Sequence, residues 1–137
     1  MNVFTVAHAF RASLEALKAQ GKLPPHMLNF PQACCGVVSE LLGDYLNTQL
    51  GLMVEYVGGD RDGASHAWLE LNGVVIDITG DQFHGRPAVF IASRDEWYAS
   101  WEESSRHFAI HEPKAWTYRE ERSVLRALLF KAGLTDT

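Results

Sequence analysis

The chain is predicted to fold as one α+β domain over residues 1–137, with helices first, then an antiparallel sheet, then a helix. Three features carry that expectation. Apolar residues recur at helical spacing near the N-terminus, and the pattern switches to strand-like alternation around Asn72-Gly73. Capping-box patterns then return in the last third.

Val3 to Gln20 reads as an amphipathic helix with Val6, Phe10, Leu14 and Leu17 on one face and Gly21 at its end. Leu23 to Pro31 holds Pro24, Pro25 and Pro31 and is expected to be an ordered loop. A second helix is predicted from Cys35 to Leu50, burying Val38, Leu41, Leu42, Tyr45 and Leu46. Leu52 to Val57 reads as a strand and Gly58 to Ala64 as a turn-rich loop. Two strands follow at His66–Leu71 and Val74–Thr79, joined by Asn72-Gly73, a strong two-residue hairpin signal. Ala88 to Ala92 is expected to be another strand. Ser93-Arg94-Asp95-Glu96 and Thr117-Tyr118-Arg119-Glu120 each match a capping box, and the last helix directs Leu125, Leu128 and Leu129 inward.

Composition bounds the function. A chain of 137 residues can bury roughly two-thirds of its unfolded surface. Its net charge of −5, without any basic run, argues against nucleic acid or an anionic membrane as partner. No apolar stretch is long enough to span a bilayer, and His8 and Arg11 interrupt any signal-like segment. A cytoplasmic location is the default, although export without a signal leaves no trace in sequence. The two cysteines, Cys34 and Cys35, are adjacent and cannot staple distant parts of a fold.

Candidate chemistry sits in three places. Cys35 lies where a helix is predicted to begin, in Phe30-Pro31-Gln32-Ala33-Cys34-Cys35-Gly36. A helix N-terminus lowers a thiol pKa, and Gly36 permits close approach of a substrate to the backbone. Taken alone, a free cysteine is more often a small buried hydrophobe. The hairpin adds the rest. A two-residue turn at Asn72-Gly73 places Ala67, Leu69, Leu71, Val74, Ile76 and Ile78 on one face. His66, Trp68, Glu70, Val75, Asp77 and Thr79 share the other. His66 and Asp77 become diagonal neighbours, roughly 7–8 Å apart between backbones. A carboxylate there can accept an imidazole N–H, fix its tautomer and stabilise the imidazolium. Asp77 inside Val-Val-Ile-Asp-Ile-Thr also works against strand propensity and wants a reason.

Cys35-Gly36 opening a helix, then Ser65-His66-Ala67-Trp68-Leu69-Glu70, then Ile76-Asp77-Ile78-Thr79, resembles the papain-like superfamily in its transglutaminase-like branch. That branch includes leader peptidases of lasso-peptide biosynthesis and small bacterial and phage proteins. The order Cys, His, Asp also resembles the glutamine-deamidase domains of bacterial toxins. The resemblance covers Phe30 to Phe83. It implies a nucleophile-bearing helix on an antiparallel sheet, with Cys35 as nucleophile, His66 as general base and Asp77 as its orienter. It further implies a protein or peptide substrate and no cofactor. Cys34 departs from the pattern, which has one cysteine before the glycine; Cys35 is chosen because Gly36 follows it. Gln32, Gly36, Trp68 and Gln82 are weaker candidates for substrate or oxyanion contacts. Peptidase, deamidase and transglutaminase chemistry all remain open, as does a binding module with a vestigial triad.

Other patterns compete. His66, Asp77, Asp81, His84 and Cys34 contain metal-ligating types without a recognised spacing. Asp60-Arg61-Asp62-Gly63 is like the start of a calcium loop but lacks its later acidic positions, so a solvated turn is favoured. Trp97, Tyr98 and Trp101 are read as core rather than groove. His107 and His111, alternating with Phe108 and Ile110, are read as strand residues.

Overall fold

The computed structural model describes residues 2–109 and Gly133. The expected C-terminal helix from Thr117, with Leu125, Leu128 and Leu129, lies outside the described residues, as do Ile110 and His111. Helix α1 spans Val3–Ala19, opened by Asn2, whose side chain accepts from the Thr5 backbone N–H at 2.8 Å. It buries Val6, Ala7, Phe10, Leu14 and Leu17, and Gly21 follows it with φ +67°. The proline-bearing segment makes one short 3₁₀ turn, Pro25–Met27, and buries Met27 and Phe30. Lys18 Nζ donates to the Phe30 carbonyl, which ties this segment to α1. Helix α2 then runs over Cys35–Gln49 and buries Val38, Leu41, Leu42, Tyr45 and Leu46, as the periodicity predicts.

Five antiparallel strands follow: β1 Glu55–Arg61, β2 Ala64–Leu71, β3 Val74–Asp77, β4 Phe90–Ser93 and β5 Glu102–Phe108. Their order in the sheet is β4-β3-β2-β1-β5. Asn72 and Gly73 have φ of +51° and +79°, the paired positive values of a type I′ turn, and Leu71 opposes Val74 as expected.

Two expectations fail next to this hairpin. The strand drawn over Leu52–Val57 begins later, at Glu55, and runs straight through the expected loop to Arg61. Only Asp62 and Gly63 turn, with φ of +50° and +82°, making a second two-residue hairpin. Asp-Gly is as strong a hairpin signal as Asn-Gly, and the glycines Gly58 and Gly59 masked it. The second failure is the helix expected from Ser93. Ser93 closes β4, and the cap of the short helix α3, Glu96–Ala99, is Asp95, whose carboxylate accepts from Tyr98 N at 3.1 Å.

The sheet carries a core on each face. Leu69, Ile76 and Ile78 pack under α1 and α2 together with Val54 and Ala109. On the other face Val57, Trp68 and Val75 pack against Tyr98 and Trp101, with Phe83, Phe90 and Trp97 at the margin. The face expected to carry polar residues is therefore closed over as well. His66, Glu70, Asp77 and Thr79 all lie on it, each at most 5% exposed.

Gly43 sets how closely α2 can lie on the sheet. A Cβ there would sit 2.3 Å from Ala109 Cβ and 3.0 Å from Leu69 Cδ2. Gly→Ala in an exposed helix stabilises by about 1 kcal/mol. Here Gly43→Ala is expected to destabilise instead, by about 1–3 kcal/mol of overpacking. Urea unfolding checks the sign: a midpoint raised by the substitution would mean that α2 can lift off the sheet without penalty.

Candidate active site

The site forms where β3 stops. Both hairpins of β2 close through two-residue turns, so alternate residues of β2 direct their backbone groups to β1 and to β3. Ala67 belongs to the set directed at β3, but that pairing ends at Leu69–Ile76. Its N–H and C=O are left without a strand, and α2 meets them. The Cys35 sulfur takes the Ala67 backbone amide as a hydrogen-bond donor, and Ser39 Oγ lies 3.5 Å from the Ala67 carbonyl. A helix terminus is thereby set against the sheet one residue from His66.

His66 is 2% exposed, and its Nε2 lies 2.7 Å from Asp77 Oδ2. That leaves Nδ1 as the ring nitrogen for the Cys35 thiol, with which the ring is hydrogen-bonded. Asp77, also 2% exposed, has both oxygens engaged. Oδ2 additionally accepts from Tyr98 Oη at 2.7 Å, and Oδ1 accepts from Thr79 N at 2.9 Å, with Thr79 Oγ1 at 3.4 Å. Gly80 leaves room for this, since a Cβ there would stand 3.3 Å from Asp77 Oδ2. Four aromatic rings, Trp68, Phe83, Trp97 and Trp101, stand with centroids 5.0–5.9 Å from that of His66. They exclude water and offer π-density to a cationic ring.

The electrostatics favour a charged pair. Burial pushes the Cys35 thiol up, but the hydrogen bond and charge of His66, the Ala67 amide and Gln82 together bring it below its ordinary value of 9.0. Burial pulls His66 down, yet Asp77 and Cys35 raise it from 6.5 to about 9. Cys34 goes the other way: it is 2% exposed, and burial with the neighbouring Cys35 pushes it up to about 11. The two adjacent thiols are thus opposite in character, one packed in the core and one in the cleft.

Gln82 lies on a 3₁₀ turn, Gly80–Gln82. Its Nε2 donates to the Thr79 carbonyl at 3.1 Å and stands 3.1 Å from His66 Nδ1. The second amide hydrogen suits the neutral pair by donating to Nδ1. Once the thiol proton moves to Nδ1, that hydrogen serves the thiolate, the donation that lowers Cys35. Gln32 is more remote and holds the Gln82 backbone carbonyl from Nε2 at 3.2 Å. Gly36 lines the cleft. Trp68 does not: it is wholly buried and donates Nε1 to Glu70 Oε2 at 2.9 Å, so it has no surface for a substrate. Asp81 is gripped by Arg11 through two bonds of 2.7 Å, and among the described residues no three His, Cys, Asp or Glu gather as a metal site.

Two residues of the site carry no site signal of their own in the sequence. Tyr98, expected in the core, is 0% exposed, and its hydroxyl also fixes Asp77. Arg11, read only as an interruption of an apolar segment, binds the Ile78 carbonyl at 2.8 Å as well as Asp81. Through it α1 holds the turn that presents Gln82. A cationic residue on the apolar face of an amphipathic helix was the available signal.

Compared with known proteins, the chain matches no protein family, no curated protein and no solved structure.

The two thiols give a direct test. Iodoacetamide near neutral pH is expected to modify Cys35 well before Cys34, by peptide mapping. The Cys35 rate should titrate below pH 9.0, the ordinary thiol value. His66→Ala removes both the bond and the charge that lower the thiol, leaving burial to raise it, so the midpoint should move upward. An unmoved midpoint, or Cys34 modified first, would contradict the assignment.

Proposed function

We propose that the protein is a cysteine-dependent acyl-transfer enzyme acting on amide bonds of a peptide or protein, as a peptidase or glutamine deamidase of papain-like or transglutaminase-like type. The observation that carries this reading is the chain of hydrogen bonds from Cys35 in the cleft through buried His66 to buried Asp77, in which the thiol is lowered and the imidazole raised to about 9. A structural cysteine has no need of a lowered pKa, and pairs shifted in opposite senses are a mark of acid–base assignments.

The steps follow from the geometry. The Cys35 thiolate attacks the amide carbonyl carbon; the C–S bond forms and the carbonyl π pair moves onto oxygen. That oxyanion meets the first-turn amides of α2, whose Cys34 cap position offers no side-chain acceptor to occupy them, and Gln82 Nε2 beside them. His66 Nδ1 delivers its proton to the departing nitrogen as the C–N bond breaks. Asp77 holds the ring and the imidazolium charge throughout, and His66 then takes a proton from the water that releases the acyl group. A substrate amine in place of water makes the same intermediate a transglutaminase product.

The test is a panel of peptides, with and without glutamine, followed by mass spectrometry for chain cleavage or carboxamide-to-carboxylate conversion. Turnover should vanish in Cys35→Ala; turnover that survives it rules out the thiol mechanism. Asp77→Asn should keep the fold and lose about a hundred- to ten-thousand-fold in rate. The pH profile has a defined sign. Activity falls as pH rises through about 9, where His66 loses the proton it must donate. It falls on the acid side as Cys35 is protonated below its ordinary range. A rate still climbing well above pH 9 would exclude His66 as the proton donor.

A further inference from the structure

Beside Cys35 lies a cleft of about 310 Å³ whose lining includes Gly58, Asp60, Ser65, Ala67, Ser104 and Ser105. Its floor is the helix-side face of the sheet beyond the N-terminal end of α2. Alternation places Tyr56, Gly58 and Asp60 of β1 on that face, with Ala67 opposite Gly58 and Ser65 opposite Asp60. Small side chains keep the floor low. Gly58 is required to be small, because a Cβ there would meet Ser105 Oγ at 2.5 Å. A bulge between Gly58 and Gly59 shifts the pairing with β5 and brings Ser104 into the wall beside Ser105.

One charge stands in this cleft besides the Cys35–His66 pair. Asp60 has no side-chain hydrogen bond or ion pair among the described residues. Its cross-strand partner on β5 is Glu102, a second carboxylate without such a partner among the described residues. Like charges directly opposed across a ladder are destabilising. Other acidic side chains of this sheet do have an arginine: Glu55, Glu70 and Glu103 all bond Arg106.

We propose that this cleft is the side-chain subsite of the substrate and that Asp60, supported by Glu102, selects a basic residue, lysine or arginine, next to the scissile amide. The inference rests on the thiol-enzyme reading above and adds the substrate class to it. The volume suits one long side chain. The glycine and serine floor accommodates its methylene stem, and the free carboxylate at the outer end meets its cationic head. An acidic side chain placed there meets the Asp60 carboxylate, with Glu102 opposite it on β5, and is rejected.

Chloromethyl ketones of short peptides that differ only in a lysine, norleucine or glutamate beside the reactive carbon test this on the intact protein. Iodoacetamide, which fills no subsite, is run in parallel on the wild type. Cys35 should be alkylated about tenfold or more faster by the lysine reagent than by the glutamate reagent, and added salt should narrow the gap. Within each variant the lysine-to-glutamate ratio should collapse toward one in Asp60→Asn and invert in Asp60→Lys. Labelling by iodoacetamide without any lysine preference, or a ratio indifferent to Asp60, overturns the subsite and leaves the thiol enzyme standing. A Cys35 inert to iodoacetamide overturns both.

Discussion

The buried carboxylate of Asp77 is the constraint around which the rest of the described structure is arranged. An ionised carboxylate taken out of water is several kcal/mol unfavourable unless its lone pairs are filled. Asp77 is only 2% exposed, and donors reach it from β2, from α3 and from the turn after β3: His66, Tyr98 and Thr79. Each hydrogen bond to a charged acceptor contributes about 1.5–3 kcal/mol, so the donors together can offset the desolvation. They also fix relative positions. α3 must lie where Tyr98 reaches the carboxylate, and the chain must turn at Thr79 so that its own N–H folds back. A residue that looks like a defect in an apolar strand thereby specifies how three elements meet.

That strand is also short for a physical reason. A chain turning back at Thr79 to bind Asp77 cannot continue the ladder to Ala67. The pairing stops, and the freed backbone of Ala67 becomes the place where α2 docks its first residue. Strand termination, helix docking and the thiol–imidazole contact are therefore one event rather than three. The two sides of the sheet cooperate in it. The aliphatic core under α1 and α2 delivers Cys35, and the aromatic core under α3 seals the far side of His66. Had either face been open to water, the imidazole would exchange its carboxylate for solvent and the thiol would lose the charge that lowers it.

What the sequence disclosed follows the same logic. Asn72-Gly73 fixes register by local chemistry, so the shared face of His66 and Asp77 was legible before any coordinate. The start of α2 was legible because a proline-bearing loop gives way to helical spacing. Asp62-Gly63 uses the same turn chemistry, yet consecutive glycines in β1 obscured the strand leading into it. Those glycines are there for space, not for turning, as the contact of Gly58 with Ser105 makes plain. Ser93 and Asp95 are both competent caps two residues apart, and strand pairing to β3 claims Ser93. The Arg11 and Tyr98 contacts were illegible, because each joins residues far apart in sequence whose polar atoms meet only after the packing is settled.

Cys34 and Cys35 show how sharply burial divides adjacent identical residues. Cys34 caps α2 with non-helical dihedrals, φ −134° and ψ 15°, and Cys35 is the first helical residue, so the neighbouring side chains leave the backbone in different directions, Cys34 into the core and Cys35 into the cleft. Cys34 is removed from water without a cationic neighbour strong enough to compensate, and it behaves as a small apolar group with its thiol pushed up to about 11. Cys35 is itself largely enclosed, but the imidazolium, an amide and a carboxamide all point at its sulfur. Desolvation alone would make both thiols inert. The difference lies in what replaces the lost water: hydrocarbon for one, and oriented donors with a positive charge for the other. Ala33, held at φ +62° immediately before the pair, sets the direction from which the chain enters α2. It occupies a left-handed conformation that is unfavourable by about 1–2 kcal/mol for a residue with a Cβ. Of the two thiols, it is the entry into α2 that decides which one meets His66.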